Sequence, residues 1–216
     1  MKKTAVVLTI AFTFLLYSIC IADEGEKTID GFQDFKWLDS ANDILEKKTV
    51  DLKEGEDYEY KTYDDDYSCL IIFKSSVAGY DAEEGYNFLD DKLFSGGYEI
   101  DFESSSDDYL DKAYNDIIEK YTTVYGDASE MMEVKKDDTY SDTLTYWADD
   151  NKNIIAVMEY FGSNKNISII YMIGENEIGD NEALSDFIDV YHNRIERLFG
   201  INVQDEVNRK GNTEGI

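Results

Sequence analysis

The sequence predicts an α+β protein, an antiparallel β-meander sheet with amphipathic helices packed on one face. Three observations carry that prediction. Several segments alternate apolar and polar residues with the period of two that a half-buried strand needs, as in Tyr98, Ile100 and Phe102 against Glu99, Asp101 and Glu103. Two longer segments place apolar residues at helical spacing and stop at glycines, Gly126 and Gly200. The elements run strands then helix, twice, which predicts helices on one face of a sheet rather than a parallel α/β fold.

The chain opens with Lys2 and Lys3, an uncharged apolar run from Ala5 to Ile19, and Cys20-Ile21-Ala22. A basic start, a short apolar middle and small residues before a polar segment describe a secretory signal peptide over residues 1–22. Cleavage between Ala22 and Asp23 is the expectation. The alternative keeps Cys20 as a lipid anchor, although Ile19 is bulky for the position before a lipidated cysteine. Either way the protein is expected to be exported, to a bacterial periplasm, the extracellular space or the cell surface. The apolar run is short for a spanning helix, which takes about 20 residues, so no membrane span is expected.

Residues 23–203 form the expected single α+β domain, with halves at 32–126 and 127–200, and residues 204–216 a polar tail. Phe32-Gln33-Asp34-Phe35-Lys36-Trp37 reads as a strand with one face buried. Asp39 or Ser40 caps a short helix carrying Ala41, Ile44 and Leu45. Glu56 to Tyr63 alternates, with Tyr58 and Tyr60 toward the core. Asp64-Asp65-Asp66 turns into the apolar strand from Ser68 to Lys74. Gly85 to Leu89 and Lys92 to Glu103 make a hairpin around Asp90-Asp91. Ser105 or Ser106 then caps a helix whose stripe is Leu110, Tyr114, Ile117, Ile118, Tyr121 and Tyr125, with Asp107 and Asp108 at its positive end. Strands follow near Met131 to Lys135, Thr143 to Trp147, Asn153 to Phe161 and Asn166 to Ile173. A last helix from about Asn181 to Phe199 carries Leu184, Phe187, Ile188, Tyr191, Ile195 and Leu198 on one side. Proline is absent, so the turns rest on Gly, Asn, Asp and Ser.

The opening Phe32-x-x-Phe35-Lys36-Trp37, the hairpin Tyr86-Asn87-Phe88-Leu89-Asp90-Asp91-Lys92-Leu93 and the helix end Tyr125-Gly126 resemble a loose group of uncharacterised exported bacterial proteins and lipoproteins. Leu38 stands where that group has glycine. The resemblance implies an α+β fold, broadly similar to the helix-and-meander repeats of β-lactamase-inhibitor-like modules, and brings no activity with it.

Composition bounds function. Acidic residues number 48 against 20 basic ones, a net charge of −28, which repels nucleic acid and anionic lipid; a dispersed acidic surface of this kind keeps an exported protein soluble without any ligand, and a basic protein or peptide or a divalent cation is what it would attract. Once residues 1–22 leave, Cys69 is the sole cysteine and no internal disulfide forms. It reads as a small buried hydrophobe. His192 is the single histidine and lies on a helix, without a nucleophile motif beside it. One histidine and so few cysteines also exclude the usual zinc sets. No cofactor is implied. The Asn166-Ile167-Ser168 triplet matches a glycosylation sequon and receives no role.

Three readings stay open. The leading one is an exported, acidic, non-enzymatic binding or envelope-associated protein, with Tyr63, Asp64, Asp65, Asp66 and Tyr67 as the interaction surface. The second is a secreted hydrolase working through paired carboxylates. The third is a calcium-stabilised surface protein using Asp64-Asp65-Asp66 or Asp149-x-Asn151-x-Asn153, oxygen-rich loops that serve equally as hairpin turns.

Overall fold

The computed structural model describes residues 28–62, 67–102, 105–137, 140–160, 165–182, 184–186 and 188. The chain starts with a miniature hairpin, β1 (Gly31–Phe32) and β2 (Phe35–Lys36), in which Phe32 pairs with Phe35. This differs from the single strand that alternation predicts. Phe32 and Phe35 are three residues apart and cannot share one face of an extended strand, yet both are buried. Reversing the chain at Gln33-Asp34 makes them cross-strand partners. Gln33 takes a φ of 58°, the positive value that a tight hairpin turn needs at its first central position. Trp37 is buried as well and donates its indole N–H to the Ile29 carbonyl at 2.9 Å. Leu38 then adopts a φ of 70°, in the left-handed region that glycine favours.

Helix α1 (Ala41–Lys48) begins at Ser40, whose side chain and that of Asp43 satisfy each other's backbone N–H groups in a capping box. Ala41 and Ile44 face the core. The Ala41 N–H also donates to Asp91 at 2.9 Å, tying the helix start to a hairpin turn 50 residues away.

Four antiparallel strands follow, β3 (Tyr58–Thr62), β4 (Tyr67–Val77), β5 (Tyr80–Leu89) and β6 (Lys92–Asp101). Asp90 and Asp91 form the predicted turn between β5 and β6, both with positive φ, as a two-residue hairpin loop demands. Helix α2 (Asp107–Tyr125) comes next and ends at Gly126, whose N–H bonds to the Thr122 carbonyl and whose φ is 79°. Its buried stripe is Leu110, Ala113, Tyr114, Ile117 and Tyr121, with Ile118 and Tyr125 partly buried beside it. A second meander, β7 (Glu130–Asp137), β8 (Tyr140–Ala148), β9 (Ile154–Tyr160) and β10 (Asn166–Met172), is followed by the short α3 (Glu175–Ile178). Another helical stretch starts after Asn181, whose side chain accepts the Leu184 N–H, and it buries Leu184 and Ile188.

The two meanders join into one antiparallel sheet of eight strands, in the order β3-β4-β5-β6-β10-β9-β8-β7. One face carries the main core. Phe32 lies among Tyr86, Tyr98 and Tyr171, with ring centroids 4.9 to 5.3 Å apart. A Cβ on Gly96 would overlap the Phe32 ring, so β6 is bare where the β1–β2 hairpin packs. Helix α2 crosses the same face. It is held by the Tyr114 hydroxyl against Thr145 of β8 at 2.7 Å and by Tyr171 donating to Tyr121 at 2.8 Å. The other face of the sheet holds a second, smaller cluster of Leu144, Tyr146, Ile154, Ala156, Met158 and Met172. Among the described residues no helix is long and apolar enough to cross a membrane.

A groove on the second face of the sheet

The strand registers dictate which side chains share the second face. One cross-strand row runs Leu144, Met158, Ser168, Glu99, Glu83. The next runs Tyr146, Ala156, Ile170, Gly97, Gly85, Ile71. A third runs Ile154, Met172, Ser95, Asn87, Cys69. In the middle row two adjacent strands contribute glycines, so the sheet has no side chains between Ile170 and Ile71. The result is a trough of about 310 Å³ over β4, β5, β6 and β10. Ile71 and Ile170 wall it, Gly85 and Gly97 floor it, Glu83 and Glu99 stand at one end, and Asn87, Ser95 and Cys69 at the other.

The acidic end has its own electrostatics. Glu83 and Glu99 are paired directly across β5 and β6, where like charges repel. Asn166 and Ser168 both donate to the Glu99 carboxylate. Desolvation along the groove wall raises the Glu99 pKa. The Ser168 hydrogen bond pulls it the other way, and the negative charges of Glu83 and Asp101 add to the rise. Among the described residues neither Glu83 nor Glu99 has a salt-bridging Lys or Arg. Cys69 is half-buried, and burial pushes its thiol up against a smaller opposing pull from Lys61. It therefore lines the groove as a neutral thiol rather than as an activated nucleophile.

Two other carboxylates sit on the opposite, helix-covered face. Glu84 is buried and accepts from Lys48 at 2.7 Å, from Ser75 at 2.7 Å and from the Tyr86 hydroxyl. Burial opposes its charge, but these three donors together hold its pKa below the usual carboxylate value. It ties α1 to the sheet. Glu159 of β9 is only 3% exposed, and its Oε1 has no hydrogen-bond partner. Desolvation first, and then the charge of Asp111 on α2, raise its pKa to about 7, while a hydrogen bond with Thr143 lowers it. Glu99 and Glu159, the two acids with raised values among the described residues, lie on opposite faces of the sheet.

The sequence-predicted sites fare differently. Cys20, Ala22 and Asp23 lie outside the described residues, as do Tyr63, Asp64, Asp65, Asp66 and His192. Tyr67 begins β4. Asp149 serves its turn: one carboxylate oxygen accepts the N–H groups of Asn151 and Asn153, and the other accepts from the Ile29 N–H and the Asn153 side chain. Among the described residues no group of three or more His, Cys, Asp or Glu side chains is arranged to hold a metal ion. The groove itself was missed by periodicity, which reads side chains. The signal was present in Gly85 and Gly96-Gly97, glycines inside strand patterns.

A scan against protein-family models finds no match, and searches of curated proteins and of solved structures find none either.

Proposed function

We propose that this chain is an exported, non-enzymatic binding protein of a bacterial envelope, and that the second face of its sheet docks a basic protein or peptide. The observation that carries the reading is the groove, whose apolar walls, bare floor and acidic end offer a neighbour both contact area and charge complementarity. The acidic composition of the whole chain supports the same sign of partner. The leader-like residues 1–22 support export, with either release after Ala22 or anchoring through Cys20. The two four-stranded meanders, meeting at β6 and β10, are read as two halves that jointly build the docking face.

The test is site-directed photocrosslinking in envelope extract. A benzoylphenylalanine at Ile71, in the groove wall, should capture a segment rich in Lys or Arg, and the yield should fall as salt screens the attraction. The same probe at Val124, exposed on α2, should capture nothing comparable. Equal capture from both positions, or capture from Ile71 that is indifferent to salt, contradicts the reading.

A further inference from the structure

Four glycines lie in the described strands, and three are explained by their neighbours. A Cβ on Gly31 would overlap the Phe35 carbonyl, one on Gly96 the Phe32 ring, and one on Gly97 the Ile169 carbonyl. Gly85 has no such reason. A Cβ there would meet only the Leu70 carbonyl oxygen at 4.0 Å, ordinary contact, and the backbone does not lie in the left-handed region. A glycine in mid-strand forgoes side-chain packing and loses more backbone entropy on folding than any other residue. Folding alone therefore favours a side chain at position 85. Its absence leaves open the space above β5, and a strand glycine that no clash and no positive φ requires gives another backbone room to approach closely.

The shape of that space defines what fits. The three rows from Glu83 to Asn87 cover about 14 Å along the strands, the reach of about four extended residues. Ile71 and Ile170 confine the occupant sideways. Glu83 and Glu99 face each other at one end with no cation between them among the described residues, and Asn87 and Ser95 line the opposite end.

We infer that the groove takes an extended segment of a protein partner, its backbone lying over Gly85 and Gly97 and an arginine or lysine side chain anchored between Glu83 and Glu99. This rests on the reading of the second face as a docking surface and adds the conformation and anchor of the occupant. A guanidinium suits the anchor best, because its planar fork donates to two carboxylates at once. Binding would also relieve the repulsion between Glu83 and Glu99.

The experiment uses the full chain and two capped hexapeptides, Ac-Arg-Thr-Val-Thr-Val-Arg-NH2 and its twin with citrulline, a neutral isostere, at both arginine positions. An arginine at each end allows either chain direction. Dissociation constants are measured for the natural protein, for Gly85→Val, and for the double variant E83Q/E99Q. A Cβ at position 85 meets only ordinary contact, the groove lies above it and valine gains strand propensity, so the Gly85→Val melting temperature should not fall; Gly85→Thr is the second blocking variant. The expected result is a preference of about tenfold for the arginine peptide, its collapse toward unity in E83Q/E99Q, and loss of both peptides in Gly85→Val. If E83Q/E99Q keeps the preference while Gly85→Val blocks binding, the anchor is overturned and the docking surface stands. If both peptides bind Gly85→Val as they bind the natural protein, the anchor and the docking surface are overturned together.

Discussion

Replacing Glu159 with glutamine should stabilise this protein by an amount set by pH. Glu159 is buried between β9 and α2, with one carboxyl oxygen unpartnered and Asp111 close enough to repel it. Its pKa rises from 4.5 to about 7. A group whose folded pKa lies above its unfolded value holds its proton more tightly in the folded state. Its contribution to stability is present below pH 4.5 and is lost as pH rises through 7. At 1.36 kcal/mol for each pH unit the shift sets an upper bound of about 3 kcal/mol, which solvent around the exposed Asp111 reduces by screening. Glutamine keeps the shape and cannot ionise. At pH 8 the variant should therefore be more stable by up to about 3 kcal/mol, a rise of roughly 6 to 12 °C in melting temperature for a chain of this size. At pH 4 the two proteins should melt together, since the acid is already neutral. Urea unfolding followed by circular dichroism between pH 4 and 8 reads this directly. A stability difference that does not change with pH, or a variant less stable at pH 8, would show that ionising Glu159 costs the fold nothing.

Two further pairs of substitutions test the packing that positions the groove. Glu84→Leu strips Lys48, Ser75 and Tyr86 of their common acceptor and should cost about 3 kcal/mol, while Lys48→Met in the same chain should recover most of the loss, read by urea midpoints. Because the Glu84 pKa is lowered in the folded protein, its contribution holds above the ordinary carboxylate range and fades as pH falls below it, so Glu84→Leu should matter least in acid. Gly96→Ala forces a methyl group into the Phe32 ring and should cost about 1–3 kcal/mol, with Phe32→Leu in the same chain softening the clash. Additive losses in that pair would show that the two residues do not meet.

The parts of the fold legible in the sequence are those where side-chain periodicity and structure share one cause. Tyr98 and Ile100 alternate with Glu99 and Asp101 because β6 has a packed face and a solvated one. The α2 stripe repeats at helical spacing because a single side of that helix meets the sheet. Asp90-Asp91 reads as a turn because acids at a polar pair between apolar runs tolerate positive φ. The Phe32–Trp37 segment misled because burial there comes from a chain reversal, and alternation cannot see a turn at Gln33 and Asp34. Glu159 sits in an apolar run that reads as a strand, but its neighbour Asp111 arrives from a helix 48 positions earlier, beyond the reach of local pattern. The groove is the hardest case. Its floor consists of missing side chains, and whether a strand glycine makes room for Phe32 or for something outside the chain depends on the packing around it.

The most direct measurement of the central claim, that the second face of the sheet is where this protein binds its partner, is amide chemical-shift mapping during titration with the arginine hexapeptide. The largest shifts should fall at Gly85, Asn87, Ser95 and Gly97, with α2 residues such as Lys112 and Val124 unmoved. Shifts spread over the acidic surface, or concentrated on the helix-covered face, would contradict it.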